Sequence, residues 1–146
     1  MATTAHSEIR DALNRARKDR DKLRTLVLST ILSDVRNREI ELGRAADDDT
    51  VREVIARGIK MRRDAAAQMR VGGREELAEK EERESSILAE FLPPALNERE
   101  VRGMIREILA EGPADMGAVM GRLMPRIRGR FDGGDANRLV REELAR

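Results

Sequence analysis

Apolar residues recur along most of this chain at the three- and four-residue spacing of an α-helix. This pattern predicts seven helices, at about residues 5–18, 21–42, 51–70, 74–91, 98–111, 115–124 and 134–145. No segment shows the strict apolar–polar alternation of a half-buried strand. The predicted fold class is therefore all-α.

Turn and capping residues suggest where the first four helices begin and end. Gly43 is suited to the left-handed position after the second helix. Thr50 and Glu53 have the spacing of a capping box for the third helix, and Gly72-Gly73 should end it. The fourth helix is the most charged, and its apolar stripe is short, consisting of Leu77, Ile87, Leu88 and Phe91.

Similar signals mark the last three helices. Asn97 and Glu100 form a second capping pair, and Asp115 stands where an N-cap residue is expected. Pro125 disfavours α geometry at the residue before it, so the sixth helix should bend or end near Met124.

The Pro93-Pro94 pair divides the chain into two predicted domains. An N-terminal unit of long amphipathic helices would cover residues 1–92, and a C-terminal three-helix bundle would cover residues 95–146. Residues 1–92 hold 19 basic and 19 acidic side chains, a pattern typical of solvated helix faces.

Composition narrows the class of protein further. Charged residues make up 39% of the chain and aromatic residues 1%, so aliphatic residues and methionine must form the cores. The net charge of +1 argues against a globally basic nucleic-acid binder and requires any RNA contact to be local. The polar start MATTAHSEIRDAL and the lack of a long apolar stretch predict a cytoplasmic protein with no membrane partner.

The residues that could carry chemistry are few. His6, the only histidine, has no fixed carboxylate beside it, and Ser29 and Ser33 lack an activating base. The contiguous acids 47–49 lack the alternating spacing of a calcium loop, and cysteine is absent. We therefore predict no catalytic residue, cofactor or metal ion.

The segment from Asp115 to Asp132 is the most distinctive part of the chain. Its apolar positions, Met116, Val119, Met120 and Leu123, share one helix face and are expected to fill a core. Gly117 and Gly121 lie four residues apart, which suits either close helix–helix approach or access of an RNA backbone. The segment between Met116 and Phe131 contains no acid and four arginines, namely Arg122, Arg126, Arg128 and Arg130. They fit either a solvated loop or a nucleic-acid contact.

This segment resembles the tail domain of the B subunit of the glutamine-dependent glutamyl/aspartyl-tRNA amidotransferase and its stand-alone relatives, the GatB/YqeY family. The matching positions are Asp115, Met116, Gly117, Val119, Met120, Gly121, Leu123, Met124, Pro125, Gly129, Asp132, Gly133, Asn137 and Val140, and the basic slots hold Arg126, Arg128 and Arg130. The resemblance extends to residues 91–93 and, more loosely, over nearly the whole chain. Ala118 stands where the family commonly has lysine, and Phe131 stands where it usually has a small residue.

The resemblance implies that the C-terminal unit holds tRNA, beside an aminoacyl-tRNA processing complex or alone. The family label, carbon–nitrogen ligase with glutamine as amido-N-donor, belongs to catalytic parts for which this chain has no room. The predicted RNA-binding residues are Gly117, Gly121, Arg122, Arg126, Arg128 and Arg130, whereas Arg15 and Arg17 are expected to add little. The alternative function is a protein–protein interaction module that docks a partner through the long helices 21–42 and 51–70.

Overall fold

The computed structural model describes residues 4–146, and in this range the chain forms seven helices and no strand. The helices are α1 (Ala5–Lys18), α2 (Lys22–Leu42), α3 (Asp48–Val71), α4 (Glu75–Ala89), α5 (Glu98–Ala110), α6 (Met116–Ile127) and α7 (Gly133–Leu144). The all-α prediction is confirmed. The first three residues of the polar N-terminal segment lie outside the described range.

The chain separates into two compact units, one ending at Leu92 and the other beginning at Pro93. In the N-terminal unit, α3 and α4 pack as an antiparallel hairpin, and α1 and α2 contribute to the same core. Its large, fully buried side chains are Ile9, Val27, Leu28, Ile31, Val35, Ile55 and Leu88. Gly58 lies at a close contact between helices, since a Cβ there would come within 3.3 Å of Ile31 and Leu88, as well as of Arg62.

The start of α3 differs from the sequence prediction. The N-cap residue is Asp47, whose carboxylate accepts a hydrogen bond from the Thr50 backbone N–H at 2.8 Å, and the helix begins at Asp48. That bond is the main reason why the pKa of Asp47 is lowered. Thr50 therefore lies inside the first turn and is buried, so the predicted Thr50–Glu53 capping box is wrong.

The predicted inward stripe of α4 is also partly wrong. Leu77 is 45% exposed, and its neighbour Ala78 is buried instead. Ser85 is buried as well, and Ala66 is buried on the facing helix α3. Small residues on both sides let the two helices approach closely, which rotates the bulky leucine outward.

The C-terminal unit is a three-helix bundle formed by α5, α6 and α7. Its buried apolar residues are Val101, Ile105, Ile108, Val119, Leu123, Ile127, Ala136, Leu139 and Val140. The capping box that opens α5 is confirmed, because Asn97 accepts from the Glu100 N–H at 2.8 Å and Glu100 accepts from the Asn97 N–H at 2.9 Å.

Helix α6 continues through Pro125 to Ile127, so it does not end near Met124, which was one of the two predicted outcomes. The proline removes only one helical N–H donor, and the Arg128 N–H still bonds to the Met124 carbonyl at 3.0 Å. Ile127 lies on the same face as Val119 and Leu123 and is fully buried. Burial of this extra turn offsets the local cost of the proline.

Candidate nucleic-acid interface

Helix α6 is fixed in the C-terminal unit by its cap and its apolar face. The Asp115 carboxylate accepts a hydrogen bond from the Ala118 N–H at 2.9 Å, as the sequence predicted. Val119, Leu123 and Ile127 are buried, and the half-buried Met116, Met120 and Met124 pack against the same core. The interpretation of these methionines as core residues is confirmed.

The opposite side of α6 is free of long side chains. Gly117, Ala118, Gly121 and Pro125 lie within about a quarter of the helix circumference, and all four are exposed. We call these four residues the smooth face. A Cβ at Gly121 would meet no atom within 4 Å, and one at Gly117 would meet only the Asp115 carboxylate, at 3.5 Å. The alternative that these glycines permit close helix–helix packing is therefore wrong.

Arg122 and Arg126 border the smooth face on the side nearest α5. Arg122 pairs with Glu111 at 3.1 Å, and Arg126 pairs with Glu107 at 3.0 Å. The sequence segment contains no acid, yet the neighbouring helix supplies two. The positive charges of Arg122 and Arg126 are therefore balanced by acids of α5. Sequence spacing could not reveal these ion pairs, because each pair joins two different helices. These side chains are 54% and 41% exposed, so each pair contributes only about 0.2–1 kcal/mol.

The other two predicted arginines lie beyond the helix. Arg128 is the half-buried C-cap residue of α6. The Arg130 side chain donates to the Pro94 carbonyl at 3.2 Å, and its own carbonyl accepts from the Leu96 N–H at 2.8 Å. Arg130 thus fastens the segment before α5 to the turn after α6. Two of the four arginines thus border the smooth face on one side, and the other two lie at the end of α6 and in the turn after it.

A charged network between α5 and α7 was not expected from the sequence. Its centre is Glu143, whose side chain is only 3% exposed and which pairs with Arg102 and Arg106, both at 3.1 Å. Arg102 also contacts Glu98 and Glu142. Hydrogen bonds from Arg106 and then Arg102 lower the pKa of Glu143, and Arg102 lowers the pKa of Glu142. The signal in the sequence was a glutamate at a position of α7 that faces the core.

The remaining candidate chemical groups have local structural roles. Ser29 donates to the Thr25 carbonyl at 2.6 Å, and His6 is half-buried on α1. Asp48 accepts from the Ala5 N–H at 3.0 Å and Asp49 lies 3.7 Å from Arg52, so the acidic triplet caps and opens α3. In residues 4–146 no three His, Cys, Asp or Glu side chains are grouped to hold a metal ion, and no helix is long and apolar enough to cross a membrane.

The described geometry is that of a two-unit helical protein with a smooth, arginine-bordered helix in its C-terminal bundle. The model of the Yqey-like protein family matches residues 6–144 of this chain. The match covers nearly the whole sequence, and the chain belongs to this family.

Two yeast proteins are distant relatives of this chain. The chain is 24% identical over 110 residues to altered inheritance of mitochondria protein 41, mitochondrial, of Saccharomyces cerevisiae (strain YJM789), covering 73% of this chain and 60% of that protein. It is 26% identical over 108 residues to the protein of the same name in Lachancea thermotolerans, covering 72% of this chain and 58% of that protein. The chain thus spans less than two thirds of the length of these relatives.

Proposed function

We propose that this protein is an accessory tRNA- or RNA-binding module and that the smooth face of α6 lies against the sugar-phosphate backbone. The observation that carries the proposal is the exposed, side-chain-free surface at Gly117 and Gly121. Each glycine inside a helix destabilises it by roughly 0.5–1 kcal/mol relative to alanine. Packing does not require either glycine, so their presence points to a ligand that needs close access to the helix backbone.

The bordering arginines suit this ligand. Arg122 and Arg126 present planar guanidinium groups that match phosphate oxygens in bidentate geometry. Their glutamate partners, Glu111 and Glu107, are 61% and 65% exposed. A pair this exposed is weak enough for a phosphate to displace the carboxylate at a cost of about 0.2–1 kcal/mol. Before a phosphate binds, the glutamates lower the positive potential around the two arginines. We therefore expect the affinity for RNA to be modest.

The resemblance to the amidotransferase tail favours tRNA over other RNAs. We propose that the protein acts alone or beside an aminoacyl-tRNA processing complex, by holding tRNA and without catalysing amide transfer. Shape would dominate recognition, because the smooth face has no aromatic platform on which a base could stack. We propose the cytoplasm as the compartment, whereas the names of the yeast relatives assign those proteins to mitochondria.

The test is to place a bulky side chain on the smooth face. Gly121→Leu in the full chain should lower the affinity for unfractionated tRNA at least tenfold, because a leucine there holds the backbone away from the helix. Binding would be measured by fluorescence anisotropy at low and moderate salt, since phosphate contacts weaken as salt rises.

The matched control is Gly103→Leu. Gly103 is also an exposed helical glycine of the C-terminal unit, on α5, and a Cβ there would meet no atom within 4 Å. This variant should bind tRNA as the parent does. Equal loss in both variants, or no tRNA binding by the parent at low salt, would contradict the proposal.

A docking module remains the second candidate function, and one observation favours it. Large apolar side chains are exposed on both long helices: Leu26 and Ile40 on α2, and Met61 and Val71 on α3. These are the helices that the sequence singled out for docking. A surface cavity of about 400 Å³ between α3 and α4 is lined by small residues of both helices together with Arg63, Arg70 and Glu82.

A further inference from the structure

The turn between α1 and α2 carries the densest group of exposed cations in the N-terminal unit. Residues 15–22, which we call the α1–α2 corner, contain the exposed cations Arg15, Arg17, Lys18, Arg20 and Lys22. Within the described residues none of the five forms an ion pair with a carboxylate. This distinguishes them from Arg122 and Arg126, which are both paired.

The acids of the corner offset this charge only in part. Asp21 is the N-cap residue of α2, and its carboxylate accepts from the Arg24 N–H at 3.1 Å. Arg24 itself pairs with Glu90 at 2.6 Å. Asp19, the other acid of the corner, is exposed. The five cations and these two acids together give the corner a net charge of +3. The corner therefore presents its positive charge to solvent.

Local helix electrostatics explain some of these cations. Arg15, Arg17 and Lys18 lie in the last turn of α1, where the exposed carbonyl groups favour positive charge. Lys22 is different, because it is the first residue of α2 and, apart from the N-cap residue Asp21, no acid of that first turn balances it. A cation at a helix N-terminus is opposed by the macrodipole.

Arg20 also stands against the local preference of the backbone. Its φ of 57° lies in the left-handed region, where glycine is the favoured residue. The Arg20 N–H bonds to the Arg17 carbonyl, and the Asp21 N–H bonds to the Ala16 carbonyl, which together make a Schellman motif. Helix α3 ends in the same motif, with Gly73 at the equivalent position. Helix α2 also ends in a left-handed glycine, Gly43, although its N–H bonds to the Glu39 carbonyl instead.

Arg20 and Lys22 thus place cations at two positions of the corner that the local backbone disfavours. A non-glycine residue held in a sparsely populated conformation is a reason to look for a function of its side chain. We infer that the α1–α2 corner is a nucleic-acid-binding surface in its own right, which holds the phosphodiester backbone through Arg15, Arg17, Arg20 and their lysine neighbours.

The chemistry of the corner favours this ligand over other polyanions. Every exposed residue between 15 and 22 is charged, so the corner offers no apolar side chain to insert into a membrane. A protein partner would normally be anchored by a buried aromatic or apolar residue, which the corner also lacks. Phosphate backbones need neither, because guanidinium groups bind them bidentately and counterion release drives the binding.

The inference stands on residues of the N-terminal unit and does not require the smooth face of α6. Its decisive variant is Arg20→Gly, which removes a charge and relaxes the left-handed backbone. The full-length variant should have a higher Tm than the parent and a lower affinity for unfractionated tRNA. The slope of log affinity against log salt should become shallower by about one. Because the variant is expected to be more stable, weaker binding could not be attributed to unfolding.

The matched control is Arg36→Gln, which removes one exposed, unpaired cation from α2. It should leave the salt slope unchanged. A double variant, Arg15→Gln/Arg17→Gln, should reduce the slope by about two, whereas Arg57→Gln/Lys60→Gln on α3 should not. If the corner variants and their controls behave alike, the inference is wrong.

Other probes and the Gly121→Leu variant separate the remaining explanations. The parent should bind polyglutamate and phosphatidylserine vesicles more weakly than tRNA. If it bound either of them as tightly as tRNA, and Arg20→Gly lost that binding, the choice of a nucleic acid as the ligand would be wrong. Loss of tRNA binding in the corner variants but not in Gly121→Leu would support the corner and contradict the proposed α6 interface. The reverse result would contradict the corner alone.

Discussion

Glu143 shows how one residue can define a helix–helix contact. Its carboxylate is almost completely buried on α7 and accepts hydrogen bonds from Arg102 and Arg106 of α5. A buried carboxylate is costly unless it is paired, so α5 and α7 must keep the arrangement that supplies both arginines. The charge stabilises the native state only while Glu143 is ionised.

The pH dependence of this contact follows from the lowered pKa values of Glu143 and Glu142. A carboxyl group with a lower pKa in the folded state than in the unfolded state contributes stability above its unfolded pKa of about 4.5, and loses it as pH falls through the folded pKa. We therefore expect Glu143→Gln to destabilise the protein by about 2 kcal/mol at pH 7. The difference from the parent should shrink below pH 4.5.

Urea unfolding of both proteins between pH 7 and pH 3 would measure this. Glu107→Gln is the control, because Glu107 is 65% exposed and its pair with Arg126 should contribute less than about 1 kcal/mol. A difference between Glu143→Gln and the parent that stays constant over the whole pH range would show that ionisation of Glu143 is not what stabilises the contact.

At the scale of elements, helical periodicity and capping residues were sufficient to predict where α5 and α6 begin. The Asn97–Glu100 box and the Asp115 cap are local interactions between residues three apart, so the sequence contains all that is needed to predict them. The start of α3 is harder, because residues 47–50 offer four successive capping side chains. The position at which α3 starts also depends on the long-range hydrogen bond from the Ala5 N–H to Asp48. Pro125 was misjudged for a related reason, since burial of Ile127 comes from packing against other helices.

The glycines provide a prediction at the same scale. Gly121→Ala should stabilise the protein by about 0.5–1 kcal/mol, because alanine favours the helix and the new Cβ would meet no atom within 4 Å. Gly58→Ala should gain little or destabilise the protein, because its Cβ would lie 3.3 Å from three side-chain atoms. Urea unfolding of the two variants would test this. Equal stabilisation by both would mean that the core around Gly58 relaxes freely, and destabilisation by Gly121→Ala would mean that packing requires that glycine.

At the scale of the whole molecule, the sequence located the candidate interface but not its electrostatics. Gly117 and Gly121 are exposed, as the interpretation of backbone access for RNA required. Their exposure follows from their helical spacing relative to the buried Val119 and Leu123. The glutamates that pair with Arg122 and Arg126 come from α5, at separations of 11 and 19 residues. Such pairing depends on how two helices pack, and a local charge count cannot predict it. Nothing in the residue pattern around Arg15 and Arg17 indicated that both would be unpaired.

The division of the chain after Leu92 leads to the last prediction. Residues 93–146 hold their own apolar core, the Glu143 network and the contacts of Arg130 with Pro94 and Leu96. We expect this fragment to fold alone into a helical bundle, although 54 residues bury a small core and its stability should be only a few kcal/mol. A fragment starting at 97 is the control, because it lacks both partners of Arg130 and should melt at a lower temperature. Circular dichroism would follow both fragments during heating. A random-coil spectrum of residues 93–146 at low temperature would mean that this core requires the N-terminal unit in order to form.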